Sequence, residues 1–282
     1  MNISTYAEQL AEFINQHPRL VVLTGAGVST DSGIPAYRDK QGNWQHSAPV
    51  QHQEFMNSHY ARQRYWARSL LGWPMIRDAQ PSPAHLALSK LEKMGHIHLL
   101  ITQNVDRLHQ KAGSHQVIDL HGRSDKVKCM QCSQRYNRTY IHEISAQENP
   151  QFEIFEATAK PDGDADLETD QFKHFKVPDC AQCGGILKPD VVYFGDNVPK
   201  ETVFSALDAL EQADALLTIG SSLMVYSGFR FCKKAAEWNK PIAALNLGVT
   251  RADPLLNLKI NAPISETLTA TLSVLRAQSS RS

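Results

Sequence analysis

Short apolar runs recur along the chain, and small or polar residues follow each of them. The runs are Arg19–Thr24 (RLVVLT), His96–Thr102 (HIHLLIT), Ala213–Ile219 (ADALLTI) and Pro241–Leu245 (PIAAL). Their length and aliphatic content are typical of buried strands. Helical patterns separate the runs, as in Pro83–Met94 and Val203–Gln212. The alternation predicts an α/β fold with a Rossmann-like, doubly wound, mostly parallel sheet.

The residues that follow the runs are the candidates for ligand binding. They are Gly25-Ala26-Gly27, Gln103-Asn104-Val105-Asp106, Gly220-Ser221-Ser222 and Asn246. In an open parallel sheet, ligands bind beyond the carboxyl ends of the strands. The pattern therefore predicts a single crevice that all four segments line.

The loop over Gly25–Pro35 (GAGVSTDSGIP) has the features of a phosphate-facing turn. Its first two glycines would let backbone N–H groups approach a diphosphate closely. However, Thr30 stands where a dehydrogenase fingerprint has its third glycine, and no acidic residue about 20 positions further on could grip a ribose. We expect a dinucleotide here, bound in a manner different from that of dehydrogenases.

Two C-x-x-C pairs, Cys129/Cys132 and Cys180/Cys183, mark a separate module of short polar segments. Four thiolates predict a closed tetrahedral zinc site, one ion per chain, which holds the module together and takes no part in the chemistry. The alternative is a set of redox-active or merely buried cysteines. We expect residues 123–186 to form this module, and residues 1–122 and 187–282 to form the dinucleotide-binding domain.

The size and charge balance of the chain limit the kinds of partner that we expect. The chain has 282 residues, of which 42% are hydrophobic, enough for one large domain and a smaller lobe. Lys+Arg and Asp+Glu are both 29, so the balance favours neither nucleic acid nor an anionic membrane as the main partner. The first residues form a helical pattern and not an export signal. We expect a cytoplasmic monomer, with the mitochondrial matrix as the alternative for a processed eukaryotic form.

Ordered motifs over about residues 20–264 resemble those of the sirtuins. They are GAGVSTDSGIPAYRD, TQNVD, LHG, the two C-x-x-C pairs, GSSL and LNLG. Further segments look like the class II sirtuins, the group of human sirtuin four, in a bacterial form. They are QRYWAR at 63–68, GWP at 72–74, PDGD at 161–164, LKPDVVYFGD at 187–196 and GSSLMVYSGFRF at 220–231.

The resemblance implies an NAD-dependent protein-lysine deacylase. In the family reaction, NAD+ is a co-substrate, nicotinamide is released, and the acyl group leaves as O-acyl-ADP-ribose. His121 would be the base that accepts a ribose hydroxyl proton, and Asn104 would act with it. Taken alone, a histidine after an apolar stretch is more often structural. Mono-ADP-ribosyl transfer to proteins and a non-catalytic sensor of NAD or acyl-lysine are the competing functions.

The resemblance also implies a set of cofactor contacts. Tyr37 stands where family members usually have Phe. The expected NAD-binding residues are Gly25, Ala26, Gly27, Ser29, Thr30, Asp31, Ile34, Pro35, Tyr37, Arg38, Gln103, Asn104, Val105, Asp106, His121, Gly220, Ser221, Ser222, Asn246, Leu247, Gly248 and Ile264.

The acyl-lysine peptide is expected to add as a strand between Val191–Asp196 and Met224–Tyr226. The expected peptide-binding residues are Val191, Tyr193, Gly195, Met224 and Val225. Tyr65 and Arg68 have the spacing of the pair by which desuccinylating sirtuins hold a carboxylate, and the alternative is a helix with one solvated arginine. We expect longer or branched acyl groups (lipoyl, biotinyl, methylglutaryl-like) to be preferred over acetyl.

Overall fold

The computed structural model describes residues 2–39, 41–45, 49–152, 154–155, 157–160 and 162–279. Pro161, which begins the PDGD segment, lies outside the described residues. The helices are α1 Ile3–Gln16, α2 His52–Asn57, α3 His59–Asp78, α4 Pro83–Lys93, α5 Leu108–Lys111, α6 Arg138–Glu148, α7 Lys200–Gln212, α8 Tyr226–Glu237 and α9 Ile264–Ser279. Within this part of the chain, no helix is both long and apolar enough to cross a membrane.

The strands divide among one large and two small sheets. They are β1 Leu20–Thr24, β2 Ile97–Thr102, β3 Val117–Asp119, β4 Gly122–Cys129, β5 Arg135–Asn137, β6 Thr158–Ala159, β7 Ala165–Asp166, β8 Leu187–Val191, β9 Ala215–Ile219, β10 Ile242–Leu245 and β11 Leu258–Ile260. Short 3-10 helices cover Ala26–Val28, Thr30–Ser32, Pro150–Phe152, Asp170–His174 and Asp253–Leu255.

The large sheet has six parallel strands in the order β11-β10-β9-β1-β2-β3. β1 pairs with β2 on one side and with β9 on the other, so the strand order reverses between β1 and β9. Every residue of β1, β9 and β10 is buried, which explains why these strands read as continuous apolar runs. The predicted Rossmann-like α/β fold is confirmed.

Helices cover both faces of the large sheet. On one face, buried side chains of α1, α4 and α9 pack against the sheet, as Leu10, Leu88 and Leu268 do. On the other face, α7 and α8 contribute Leu210 and Phe231 to a second core. These two layers fix the strands, and therefore the positions of the loops at their carboxyl ends.

The smaller lobe is built on the antiparallel sheet β5-β4-β8. Its apolar core joins Val127 and Phe172 of the inserted segment to Phe55 of α2 and to Tyr65 and Trp66 of α3. The core of the lobe therefore includes side chains that precede residue 123. The assignment of residues 123–186 as the zinc module stays a prediction.

Candidate functional site

The loops after β1 and β9 meet where the strand order reverses. Gly27 N donates to Gly220 O at 2.8 Å, and a Cβ placed on Gly27 would lie 2.9 Å from Gly220 Cα. Gly220 has a φ of 62°, and a Cβ there would lie 2.7 Å from Val28 N. A Cβ on Gly25 would lie 2.7 Å from Ser221 Cβ. The glycines permit this close approach, and it forms the floor of the crevice.

A hydrogen-bonded chain connects the β1 loop to the loop after β2. Asn104 Nδ2 donates to Gly25 O at 3.1 Å and to Ser29 Oγ at 3.0 Å, and Ser29 Oγ donates to Asp106 Oδ2 at 2.7 Å. The other carboxylate oxygen of Asp106 accepts at 2.9 Å from Leu108 N, the first residue of α5. Burial raises the pKa of Asp106, while the bonds from Ser29 and Leu108 lower it.

His121 precedes β4 and has both ring nitrogens engaged. Nδ1 lies 2.9 Å from Gln103 O, and Nε2 lies 2.7 Å from Ser227 Oγ. Burial lowers the pKa of His121 below 6.5, the nearby Arg230 guanidinium lowers it further, and the bond to Gln103 raises it. The ring is therefore neutral at neutral pH, and a neutral imidazole can act as a base.

The remaining residues predicted to bind the cofactor lie in the segments that follow the strands and at the start of α9. Thr30 Oγ1 donates to Gly27 O, and Asp31 accepts from Ser265 Oγ at the start of α9 at 2.5 Å. Ile264 also packs against Gly220, its Cδ1 lying 3.0 Å from where a Cβ would be. Ile34 and Val105 are buried, whereas Leu247 is exposed. Ala26, Pro35, Ser222, Asn246 and Gly248 lie half-buried in the loops that follow the strands.

Tyr37 and Arg38 belong to a cluster with the aromatic rings of Trp44 and Phe194. The Arg38 guanidinium lies 4.0 Å from the Trp44 ring centroid, and the Trp44 ring contacts Tyr37 and Phe194 at centroid distances of 6.1 and 5.7 Å. Burial first, and the Asp162 carboxylate second, raise the pKa of Tyr37 well above its usual value. Trp44 belongs to no motif that pointed to the site.

The predicted peptide-binding strand starts beside His121. Val192 N donates to His121 O at 2.8 Å, and Gly122 pairs with Val191. Tyr193 is buried against Tyr65, with ring centroids 5.6 Å apart. Phe194 O accepts from His52 N. Gly195 follows with a φ of 80°.

Met224 and Val225 form the opposite side of the predicted peptide site. Val225 is 36% exposed, and Met224 O accepts from Arg251 Nη1 at 3.2 Å. The addition of a peptide strand between these residues and Val191–Asp196 stays a prediction.

Arg68 is a buried member of an ion-pair network. Its Nη2 lies 3.0 Å from Asp164 Oδ2, its Nε donates to Ala165 O at 2.6 Å, and the residue is 7% exposed. Lys160 Nζ lies 2.8 Å from Asp166 Oδ1 in the same network. The alternative of a solvated arginine is wrong, because the β6–β7 hairpin covers α3 at this point. A Cβ on Gly72 would lie 2.1 Å from Asp164 O, which shows how closely the hairpin packs.

The four predicted metal ligands converge. Their Sγ atoms lie within 4.8 Å of one another, with Cys129 and Cys183 3.5 Å apart and Cys132 and Cys180 3.6 Å apart. Zinc bound by four thiolates at about 2.3 Å would place the sulfurs roughly 3.8 Å apart, so the arrangement fits the ion. A Cβ on Gly185 would lie 3.0 Å from Cys129 Sγ, which explains a glycine there. Among the described residues, no other group of three or more His, Cys, Asp or Glu side chains converges in this way.

The fold, the loops that meet at the carboxyl ends of the strands and the thiolate cluster are those of an α/β protein suited to hold a dinucleotide and one zinc ion. A sequence model of the Sir2 family matches residues 25–227. The chain therefore belongs to the Sir2 family, and its co-substrate is NAD+. The predicted sirtuin resemblance, the enzymatic character, and NAD+ and zinc are confirmed.

Relatives with assigned names span most of the chain. NAD-dependent protein deacetylase 2 of Bradyrhizobium diazoefficiens is 56% identical over 90% of this chain and 93% of its own length. An NAD-dependent protein deacetylase of Xanthomonas campestris is 57% identical over 92% and 88%. The human mitochondrial NAD-dependent protein lipoamidase sirtuin-4 is 47% identical over 93% and 84%.

Solved Sir2 structures share the fold. One from work on the mechanism and regulation of Sir2 enzymes has a TM-score of 0.76 and 30% identity, covering 97% of this chain and 99% of its own. A Sir2 enzyme bound to a propionylated peptide has a TM-score of 0.75 and 27% identity, with 95% and 97% covered.

Proposed function

We propose that the protein is an NAD-dependent protein-lysine deacylase that releases nicotinamide and O-acyl-ADP-ribose. The observation that carries the proposal is the state of His121. Its Nδ1 faces a carbonyl oxygen, so Nε2 is left with the lone pair that a base requires. NAD+ supplies the electrophilic sugar when bound. The residues around it orient the reactants and move the proton.

We assign the binding of NAD+ to the loops that meet at the end of the sheet. The backbone of Gly25–Gly27 and Gly220 would hold the diphosphate, because the glycines let the two loops meet at the carboxyl ends of the strands and leave backbone N–H groups there. Asn104, Asp106 and Gln103 offer amide and carboxylate groups to the nicotinamide half. The hydrogen bonds that Asn104 and Asp106 both make to Ser29 support the assignment, because they hold residues 75 or more positions apart in one network.

We propose that the preferred substrates carry long, uncharged acyl groups such as lipoyl and biotinyl, ahead of acetyl. The rings of Tyr65, Tyr193 and Phe55 pack on one another in the core of the smaller lobe, and we assign this cluster as the apolar wall that contacts the acyl group. The name of the sirtuin-4 relative, a lipoamidase, supports the longer groups, whereas the more similar bacterial relatives are named deacetylases. Acidic, methylglutaryl-like groups rank lower, because Arg68 already pairs with Asp164.

A panel of one peptide with different acyl groups on a single lysine tests the proposal. Nicotinamide release and the fate of isotopically labelled NAD+ are followed in parallel. His121→Ala is expected to lower turnover by roughly 100-fold or more, the usual effect of losing a general base. His115→Ala changes an exposed histidine and serves as the matched control. Acetyl turnover equal to or faster than lipoyl turnover contradicts the acyl preference, and label transferred to protein favours ADP-ribosyl transfer.

A further inference from the structure

The hydroxyl of Ser227 is a hydrogen-bond partner of His121. Its segment, residues 220–231, was noted in the sequence, but Ser227 itself was given no role. Ser227 is the second residue of α8, and its Oγ lies 2.7 Å from His121 Nε2. On the other side of the ring, Nδ1 lies 2.9 Å from Gln103 O. The imidazole is therefore held between two elements at both of its nitrogen atoms.

The two bonds fix where the protons are. A carbonyl oxygen only accepts, so His121 Nδ1 must carry the hydrogen and Nε2 must carry the lone pair. The Ser227 hydroxyl consequently donates to Nε2 in the neutral ring. A hydroxyl also has lone pairs, so after rotation about its C–O bond it can accept from the same nitrogen.

The fold places Ser227 here through the next residue, Gly228. A Cβ on Gly228 would lie 2.5 Å from Gln103 Oε1, so the start of α8 packs directly against the Gln103 side chain of the β2 loop. Phe231 and Cys232 are completely buried and anchor the helix in the core. The serine hydroxyl is thus carried by a rigid element and not by a loop.

We propose that Ser227 is a positioning residue for the base. Its hydroxyl donates to Nε2 in the ligand-free protein. When the ribose O–H bond breaks and its proton passes to Nε2, the Ser227 hydroxyl rotates so that its hydrogen leaves Nε2 and its oxygen accepts from the new Nε2–H bond. Arg230 is the charged group whose field acts on this ring, and it opposes a positive charge there. A neutral hydroxyl that supplies a lone pair offsets that opposition without moving the ring. The inference rests on the proposed function, in which His121 accepts the proton.

Nuclear magnetic resonance of the ligand-free protein with 15N-labelled histidine tests the arrangement without any turnover. The wild type is expected to show His121 as a single tautomer with the hydrogen on Nδ1. Ser227→Ala should keep the hydrogen on Nδ1, which Gln103 O fixes, but should move the 15N resonance of the unprotonated Nε2, because that nitrogen loses its hydrogen-bond donor. Ser227→Thr should restore the wild-type resonance, and an Nε2 resonance that is the same in Ser227→Ala as in the wild type would overturn the proposal. A wild-type signal with the hydrogen on Nε2 would overturn the proposal, and that measurement needs no folded variant.

Kinetics separate the positioning role from a general loss of structure. Acyl-dependent exchange of labelled nicotinamide reports the step before the base acts, and O-acyl-ADP-ribose formation reports the complete reaction. Ser227→Ala should slow product formation by roughly tenfold relative to exchange, the effect expected for one hydrogen bond to a charged group. Ser227→Thr should recover most of the loss. Equal slowing of both measurements would overturn the proposal.

Ser273→Ala is the matched control, because it removes an exposed serine hydroxyl from α9, far along the chain. It should leave both rates unchanged. If the wild type itself released no nicotinamide with any acyl peptide, the proposed function would fail. The 15N measurement on Nε2 would still test the contact between Ser227 and His121 separately.

Discussion

Arg68 shows how a distant partner changes the chemistry of a single side chain. The spacing from Tyr65 to Arg68 suggested a receptor for an acidic acyl group. In the fold, the Asp164 carboxylate lies 3.0 Å from the Arg68 guanidinium, at the position that a substrate carboxylate would need to occupy. Lys160 is the second buried cation, and Asp162, Asp164 and Asp166 surround the pair. A further carboxylate would enter a region where negative charge already balances or exceeds positive charge.

Replacing Asp164 by asparagine should therefore shift the substrate preference towards acidic acyl groups. The comparison is between pentanoyl-lysine and glutaryl-lysine peptides, which share a five-carbon chain and differ by the terminal carboxylate. We expect the ratio of their kcat/KM values to fall by roughly tenfold in Asp164→Asn, because Arg68 gains a charged partner from the substrate. Burial raises the pKa of Asp164 to about 7, so the assay belongs at pH 8, where the wild-type carboxylate is ionised.

Glu168→Gln is the control for this prediction. Its carboxylate lies 3.6 Å from Arg68 Nη1, but its side chain is 81% exposed. Solvent screens such a charge, so the ratio should stay at the wild-type value. A second variant, Asp164→Asn with Arg68→Gln, should lose the gain. Wild-type turnover of glutaryl-lysine at or above that of pentanoyl-lysine would contradict the prediction without any variant.

For single residues, a place in the site could be predicted from the sequence where the residue follows a strand. It could not be predicted where the residue depends on a long-range contact. Asn104 and Asp106 follow a buried strand, which is a local signal for a position at the crevice. Nothing local distinguishes Ser227, because its bond to His121 spans 106 positions. Asp164 is likewise one of several carboxylates in a polar segment, and its pairing with Arg68 appears only in the folded chain.

At the scale of elements, the zinc site and helix α3 are linked through one apolar cluster. Cys129 and Cys180 pack in the same core as Tyr65 of α3 and Tyr193 after β8. The metal has four thiolate ligands and no open position, so its effect on activity should be indirect. Removing it should disturb the wall that we assign to the acyl group.

Cys132→Ser tests this connection. We expect the zinc content to fall well below one ion per chain and the free energy of unfolding to fall by several kcal/mol, because metal binding contributes directly to folding. Acyl turnover should fall with it. Metal analysis, thermal unfolding and the peptide assay provide the three measurements.

Cys232→Ala is the matched cysteine control. Cys232 belongs to α8 and is buried in the core between that helix and the large sheet, which is a different cluster. This variant should keep its zinc even if some packing energy is lost. Full zinc content and unchanged unfolding in Cys132→Ser would contradict the assignment of that ligand.

The elements that the sequence predicted best are those buried on both sides. The four apolar runs correspond to β1, β2, β9 and β10, with each start displaced by one or two residues. The three-residue edge strands β3 and β11 were not predicted, because such short segments carry no periodic signal. Helix α3 has residues buried all round, so its sequence lacks the apolar stripe of a surface helix.

At the scale of the whole molecule, buried ionisable groups make stability depend on pH in opposing ways. His85 and His109 are buried with their rings 4.7 Å apart, and burial lowers the pKa of His85 to about 4. Such a ring takes up a proton more readily in the unfolded chain, so it favours unfolding as the pH falls from its usual value of 6.5 towards 4. A buried carboxylate with a raised pKa, such as Asp164, acts in the other direction.

The contribution of His85 to the pH dependence of stability is therefore measured as a difference between the wild type and a variant. His85 is the third residue of α4, and its Nδ1 accepts from Ser82 N at 3.1 Å in a capping box. Glutamine suits that position and does not titrate. Between pH 7 and pH 5 the wild type should lose roughly 2 kcal/mol more stability than His85→Gln, measured by urea unfolding. His59→Gln, an exposed substitution, is the control. Parallel pH dependences of the wild type and His85→Gln would show that His85 does not remain neutral in the fold.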